Sequence, residues 1–277
     1  MTQANLDQYC VFGNPIAHSR SPEIHQNFAK ETNQAILYKK QLVELDGFAA
    51  AVKSFIDSGG KGANVTVPFK EQALTLADQL SERAALAGAV NTLTFKNGKV
   101  YGDNTDGEGL VQDLIRNKVV LNGCRILIIG AGGAAKGVLL PLLSQQPSAI
   151  TIANRTVSKA QQLCQHFSDK RVQACHFTEV TQQNYDLIIN ATSASLSGNL
   201  PAISSEVINA NVTCYDMVYG QDETPFLKWA KEHGCAKTID GLGMLVGQAA
   251  VSFSIWREVT PNTLSVINKL RASFVVN

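Results

Sequence analysis

Two sets of residues in this chain have the types and spacing to do chemistry. The first is the run Arg125-Ile126-Leu127-Ile128-Ile129-Gly130-Ala131-Gly132-Gly133-Ala134-Ala135, an apolar strand leading straight into a glycine turn that opens a helix. Its G-x-G-x-x-A spacing suits a pyrophosphate: Gly130 for the tight turn, Gly132 for close backbone approach, Ala135 for close helix packing. Ala131, Gly133 and Ala134 complete a cradle in which the first helical amides face the phosphate charge. The same pattern also arises from packing alone. The next apolar strand, 149–153, ends in Asn154-Arg155-Thr156, where an NAD site usually places an acidic residue for the ribose hydroxyl. Arg155 instead offers a planar donor fork and permanent charge to a 2′-phosphate, and Lys159 lies one helical turn further on. Together they favour NADP.

The second set is polar and lies mostly in the first 107 residues: Ser19-Arg20-Ser21, Asn64-Val65-Thr66-Val67-Pro68-Phe69-Lys70, and Asn91 with Gly102-Asp103-Asn104-Thr105-Asp106-Gly107. A nicotinamide site needs partners of this kind, able to donate hydrogen bonds and to move a proton. Each segment also has a structural explanation. Ser21 can cap a helix whose first residue is Pro22, Thr105 to Glu108 reads as a capping box, and Lys70 can be a solvated lysine opening a helix over 70–80.

Composition narrows the classes. The chain has 277 residues, 45% of them hydrophobic, and a net charge of +1 from 24 basic and 23 acidic side chains. There is ample material for one large or two ordinary cores, and no basic field to recruit nucleic acid or an anionic membrane. A small-molecule partner fits better. The six cysteines lack C-x-x-C spacing, and the N-terminal residues lack a basic region followed by an apolar core. These features suit a cytoplasmic protein with reduced thiols. The five histidines have no metal-ligand spacing, so no metal is expected.

Short apolar strands alternating with helical patterns predict an α/β chain with parallel sheets, and the second half reads as a Rossmann-type doubly wound unit. The pattern predicts strands at 125–129, 149–153, 186–190 and 212–217, and helices from about 133 and from 156 to 167. Helical segments from 244 to 256 and 264 to 274 lie outside the minimal nucleotide unit. A discontinuous arrangement follows: residues 1–105 plus 241–277 for substrate and catalysis, and 106–240 for the dinucleotide.

Gly13-Asn14-Pro15-Ile16-Ala17-His18-Ser19-Arg20-Ser21-Pro22, Gly62 to Lys70, Gly88-Ala89-Val90-Asn91-Thr92, Gly102 to Gly107, Asn154-Arg155-Thr156 and Asp240-Gly241-Leu242-Gly243-Met244-Leu245, in this order, closely resemble shikimate dehydrogenases over nearly the whole chain. The resemblance implies reversible NADPH-dependent reduction of 3-dehydroshikimate to shikimate in aromatic amino-acid biosynthesis. It implies Lys70 as proton donor and acceptor with Asp106 as its partner. Ser19, Ser21 and Tyr219 would contact the substrate carboxylate, and Thr66, Asn91 and Gln248 its hydroxyls. Thr192, Met217 and Gly241 would line the nicotinamide end. A monomer or homodimer is expected. Two rivals remain: a quinate/shikimate dehydrogenase with relaxed cofactor use, against which the basic tip at Arg155 speaks, and a non-catalytic NADP-binding sensor, which would not need Lys70 and Asp106.

Overall fold

The computed structural model describes residues 6–180 and 184–275. In chain order the elements are β1 (Asp7–Gly13), α1 (Ser21–Glu31), β2 (Ile36–Leu42), α2 (Phe48–Asp57), β3 (Gly60–Val65), α3 (Lys70–Leu76), β4 (Gln79–Leu80), α4 (Glu82–Ala87), β5 (Thr92–Lys96), β6 (Lys99–Asp103) and α5 (Asp106–Arg116). They are followed by β7 (Arg125–Ile129), α6 (Gly133–Ser144), β8 (Ala149–Ala153), α7 (Val157–Phe167), β9 (Val172–Cys175), β10 (Leu187–Asn190), β11 (Thr213–Asp216), α8 (Pro225–Glu232), β12 (Lys237–Asp240), α9 (Leu242–Arg257) and α10 (Thr263–Val275). Two compact units result. One comprises the chain up to Gly109 with Val246–Lys269, the other Leu110–Leu245 with the chain from Leu270 onward.

In the second unit the strands run in the order β9-β8-β7-β10-β11-β12, all parallel. Successive side chains of a strand point to opposite faces, and β7 supplies both cores: Ile126 and Ile128 pack with Ala135, Val138, Leu139 and Leu142 of α6, whereas Leu127 and Ile129 pack with Phe226 and Leu227 of α8. All four β7 residues are fully buried, which explains the unbroken apolar run. This is the doubly wound sheet expected from the sequence. Its strand order reverses between β7 and β10, where such sheets receive ligands beyond the strand ends. α6 continues through Pro141 to Ser144.

The first unit departs from the all-parallel expectation. Its sheet, β2-β1-β3-β5-β6-β4, is mixed: β5 is antiparallel to both β3 and β6. The cause is local. Asn97 and Gly98 both have positive φ, 53° and 71°, so they close a two-residue hairpin whose Asn-Gly signal is plain in the sequence. β1 alternates as β7 does, with Cys10 and Phe12 in a core containing Phe48, Val65 and Phe69, and Tyr9 and Val11 packed with Ile16 and Tyr38 on the other side.

α1 begins one residue earlier than its Ser-Pro signal suggests. Arg20 occupies the N-cap with helical dihedrals and makes no side-chain cap, so Ser21 is the first helical residue and not the cap. α1 also buries His25 completely, its ring stacked on Tyr38 at 4.2 Å and 5°. Burial pushes the His25 pKa down to about 3, so the imidazole is neutral and donates from one nitrogen only. In the unfolded chain it titrates near 6.5. Between those values the unfolded chain binds one more proton, so His25's contribution to stability is complete above about 6.5 and declines by about 1.4 kcal/mol per pH unit as pH falls toward 3. Urea-denaturation curves at several pH values should therefore show a shallower acid loss for His25→Phe than for the unsubstituted protein; parallel pH profiles would contradict the buried neutral state.

Candidate active site

Lys70 opens α3 and Asp106 opens α5, and the two meet: Lys70 Nζ lies 2.5 Å from Asp106 Oδ2. Both ends are anchored. Phe69 beside Lys70 is fully buried, stacked on Phe48 at 5.0 Å, and the Lys70 carbonyl accepts from the Val90 amide. The Asp106 amide donates to Asn104 Oδ1 at 3.1 Å. The side chains keep 30% and 21% of their exposure, so a solute can reach them.

Asn91 orients the carboxylate from its other side. Its Oδ1 accepts from the Thr105 amide at 2.9 Å and from Thr92 Oγ1 at 2.8 Å. A backbone amide can only donate, so the carboxamide nitrogen must face the opposite way, where it donates to Asp106 Oδ1 at 2.8 Å and meets Gln248 Oε1 at 3.2 Å. Gln248 is brought there by α9, which approaches α5 closely: a Cβ on Gly247 would lie 2.9 Å from the Gly109 carbonyl oxygen. One helical turn on, Ser252 bonds Thr92 at 2.7 Å, and Thr105 Oγ1 donates to the Gln248 carbonyl. An isolated, partly exposed ion pair contributes only about 0–1 kcal/mol. A buried polar network that fixes one such pair on both sides is better explained by the chemistry of the pair than by stability.

Ser19 and Ser21 are joined, Oγ to Oγ, at 3.2 Å. Thr66 follows β3 and its amide donates to the Phe12 carbonyl. The first unit thus contains Ser19, Ser21, Thr66, Lys70, Asn91, Asp106 and Gln248. Tyr219 belongs to the second unit, where its ring lies over Phe274 at 6.4 Å.

In the second unit the glycine turn has the form its sequence requires. Gly130 has φ +105°, and a Cβ there would also press on Thr192 Cγ2 at 2.9 Å, so the turn after β7 touches the loop after β10. A Cβ on Gly132 or Gly133 would meet nothing within 4 Å, and the N-terminus of α6 has no side-chain cap. Its first amides therefore remain available to an anion. Ala131 is half-buried, Gly132, Gly133 and Ala134 are exposed, and Ala135 packs against the core. Arg155, Thr156 and Lys159 are exposed, and Asn154 bonds the Thr156 carbonyl at 2.8 Å. Asn154 and Arg155 border a pocket of about 590 Å³ shared with His176, Thr178, Thr192 and Leu200. Met217 is half-buried and Gly241 buried; a Cβ on Gly241 would overlap the Met217 carbonyl, so the two are in contact.

Sequence patterns did not reveal the partners of several residues that hold these arrangements together, Thr105 having read only as part of a capping box. Asn64, Thr92, Thr105 and Ser252 form the buried core of the first network; Ser252 carried a signal, being one turn from Gln248 on an otherwise apolar helix. In the second unit the buried carboxylate of Asp216 accepts from Ser195 Oγ at 2.7 Å, Thr224 Oγ1 at 2.6 Å and Asn190 Nδ2 at 3.2 Å. Asn190 Oδ1 in turn accepts from Thr192. Asp216 closes a strand that is buried throughout, and a charged residue there was the available clue.

Three family models match the chain in succession: the shikimate dehydrogenase substrate binding domain over residues 11–93, shikimate / quinate 5-dehydrogenase over 113–208, and the shikimate 5′-dehydrogenase C-terminal domain over 241–271. A shikimate dehydrogenase (NADP(+)) from Colwellia psychrerythraea is 69% identical over 273 residues, covering 99% of both chains. The chain belongs to the shikimate dehydrogenase family. Among solved structures, an Ael1 enzyme from Pseudomonas putida is 44% identical with a TM-score of 0.93, covering 95% of this chain and 98% of its own. The shikimate 5-dehydrogenase of Thermus thermophilus, solved with NADP(H) and shikimate, is 28% identical with a TM-score of 0.86, covering 97% and 100%. In this shikimate dehydrogenase family member, the substrate-binding-domain match includes Ser19, Ser21, Thr66, Lys70 and Asn91.

Proposed function

We propose that this chain catalyses the reversible reduction of 3-dehydroshikimate to shikimate with NADPH, and that Lys70 is its proton donor and acceptor. The observation that carries the assignment is the Lys70–Asp106 pair locked by Asn91, in the part of the chain matched by the substrate binding domain. The 69%-identical relative is a shikimate dehydrogenase (NADP(+)), which supports both the reaction and the cofactor. The first unit takes the substrate and the second the dinucleotide.

NADPH supplies the hydride. As hydride reaches the C3 carbonyl, the oxygen becomes an alkoxide that needs a proton and nearby positive charge. The ammonium of Lys70 supplies both. Asp106 holds one of its three protons, leaving others for the substrate oxygen, and because Asn91 pins the second carboxylate oxygen the ammonium is held in one place. The neutral hydroxyls of Ser19 and Ser21, with Tyr219, serve the substrate carboxylate; Thr66, Asn91 and Gln248 serve its hydroxyls.

The residues present fit an NADP group. Gly130 makes the turn with its own amide donated to the Ala153 carbonyl, Ala131, Gly132, Gly133 and Ala134 present amides to the pyrophosphate, and the bulk missing at Gly132 and Gly133 leaves it room. Arg155, flanked by Asn154 and Thr156 and followed by Lys159, takes the 2′-phosphate. Thr192, Met217 and Gly241 take the nicotinamide end. No described helix is long and apolar enough to cross a membrane, and all six cysteines are free thiols, which suits a cytoplasmic enzyme. Quinate is the second substrate to consider, because the model matching 113–208 is described for shikimate and quinate alike. A sensor without catalysis would leave the Lys70–Asp106 arrangement unexplained.

Two variants test the assignment. Lys70→Ala should retain binding of shikimate and NADPH by calorimetry while turnover falls by about two orders of magnitude or more; unchanged turnover would remove Lys70 from the mechanism. Arg155→Ala should raise the KM for NADPH about tenfold or more and leave that for NADH nearly unchanged, since only NADPH carries the 2′-phosphate. Equal effects on both cofactors would sink the 2′-phosphate role.

A further inference from the structure

The pocket of about 590 Å³ in the second unit extends beyond the residues assigned to the 2′-phosphate. From Asn154 and Arg155 it passes His176 and Thr178 on one side and Leu200 and Pro201 on the other. Apolar walls with a few polar groups among them suit a flat heterocycle better than a second phosphate. The two strand tips are joined here: the Asn154 amide donates to the Cys175 carbonyl at 3.1 Å, which brings His176, the residue after β9, beside the basic tip of β8. A dinucleotide with its 2′-phosphate at Arg155 must place its adenine close by, because base and phosphate are carried by the same ribose.

His176 presents one fixed polar atom to this pocket. Its Nδ1 lies 3.2 Å from the Thr178 amide, which can only donate, and 2.8 Å from Thr178 Oγ1. Nδ1 is therefore an acceptor, and the ring proton sits on Nε2. The turn is locked from its other end as well, because the His176 amide donates to Glu179 Oε2 at 2.6 Å and completes a capping box around Phe177–Glu179. Moving the proton to Nδ1 would set two N–H groups against each other, so Nε2 remains the donor. Glu179 also places a carboxylate on this turn, which disfavours a phosphate at His176 and leaves a neutral base unaffected. Adenine offers such a base the matching atom. Its outer edge, on the side away from the ribose, carries N1, which accepts, and a 6-amino group, which donates. Hypoxanthine has the same shape with the polarity of that edge reversed: N1 carries a hydrogen and C6 a carbonyl oxygen.

We propose that His176 is a specificity-determining residue for the base of the cofactor, its Nε2–H donating to N1 of adenine. The inference rests on the NADP reading and deepens it: Arg155 selects the phosphate, and the pinned imidazole selects the purine. Calorimetric binding of NADP and of its hypoxanthine analogue reads this without turnover, and since both ligands keep the 2′-phosphate and the nicotinamide, their ratio is blind to those contacts. The unsubstituted protein should bind NADP about tenfold more tightly than the analogue, the effect of leaving one donor facing another. His176→Ala should weaken NADP about fivefold and change the analogue by no more than about twofold, so that most of the preference disappears. His176→Gln should bind the two ligands alike, because a carboxamide can turn either its nitrogen or its oxygen to the base. Equal weakening of both ligands in His176→Ala, with the tenfold preference intact, would mean that the histidine only shapes its loop and would overturn the proposal. A preference absent from the unsubstituted protein, or retained in His176→Gln, would overturn it too. If the unsubstituted protein bound neither ligand, the NADP reading would fall and the inference with it; if it bound NADP and one of these contrary results appeared, the inference alone would fall.

Discussion

The orientation of one carboxamide underlies the chemistry assigned to the first unit. Asn91 is forced to present its nitrogen to Asp106 because its oxygen is held by a backbone amide that has no other role to play. If the amide flipped, a carbonyl oxygen would face a carboxylate oxygen across 2.8 Å, and the partner that holds Lys70 would be repelled. The Thr105 amide, which can only donate, would then face the carboxamide nitrogen at 2.9 Å, and this excludes the alternative. Networks of this kind contribute more to specifying a single arrangement than to net stability.

The second unit solves the complementary problem of holding loops rather than side chains. The glycine turn follows β7 and the Thr192 loop follows β10, on either side of the point where strand order reverses. The buried Asp216 carboxylate, through Asn190 and Ser195, ties down the loop after β10, and its Oδ1 also accepts from the Val218 amide beyond β11. Thr192 then meets Gly130, so the glycine turn and its neighbour are set by contact. Only backbone amides and open space are left at Gly132 and Gly133, which is what an anion with its own bulk requires.

Local patterns made the second unit readable from sequence: unbroken apolar strands, a glycine turn and a basic strand tip are all signals within a short stretch of chain. The first unit was less so. Its mixed sheet hinged on Asn97-Gly98, a hairpin signal overshadowed by the alternation of strands and helices around it. Ser21 looked like a cap because Ser-Pro usually is one, yet the backbone at Arg20 already turns helical and leaves the hydroxyl for other work. Lys70 and Asp106 stood in polar segments able to do chemistry, but a role for each of them, and for Gln248, came only from separated motifs that resemble a family in the right order. The pairing of Asn64 with Tyr38 and with Ser252 was invisible to spacing, since these partners lie 26 and 188 residues away in the chain and meet only through the fold.

The central claim is that this pairing of sites serves shikimate with NADP. It is tested most directly by steady-state kcat/KM values for shikimate and quinate, each with NADP and with NAD. The highest value is predicted for shikimate with NADP, exceeding each of the other three combinations by at least about tenfold, the least expected from losing one charge-assisted contact. Equal or better values for quinate, or for NAD in place of NADP, would contradict it.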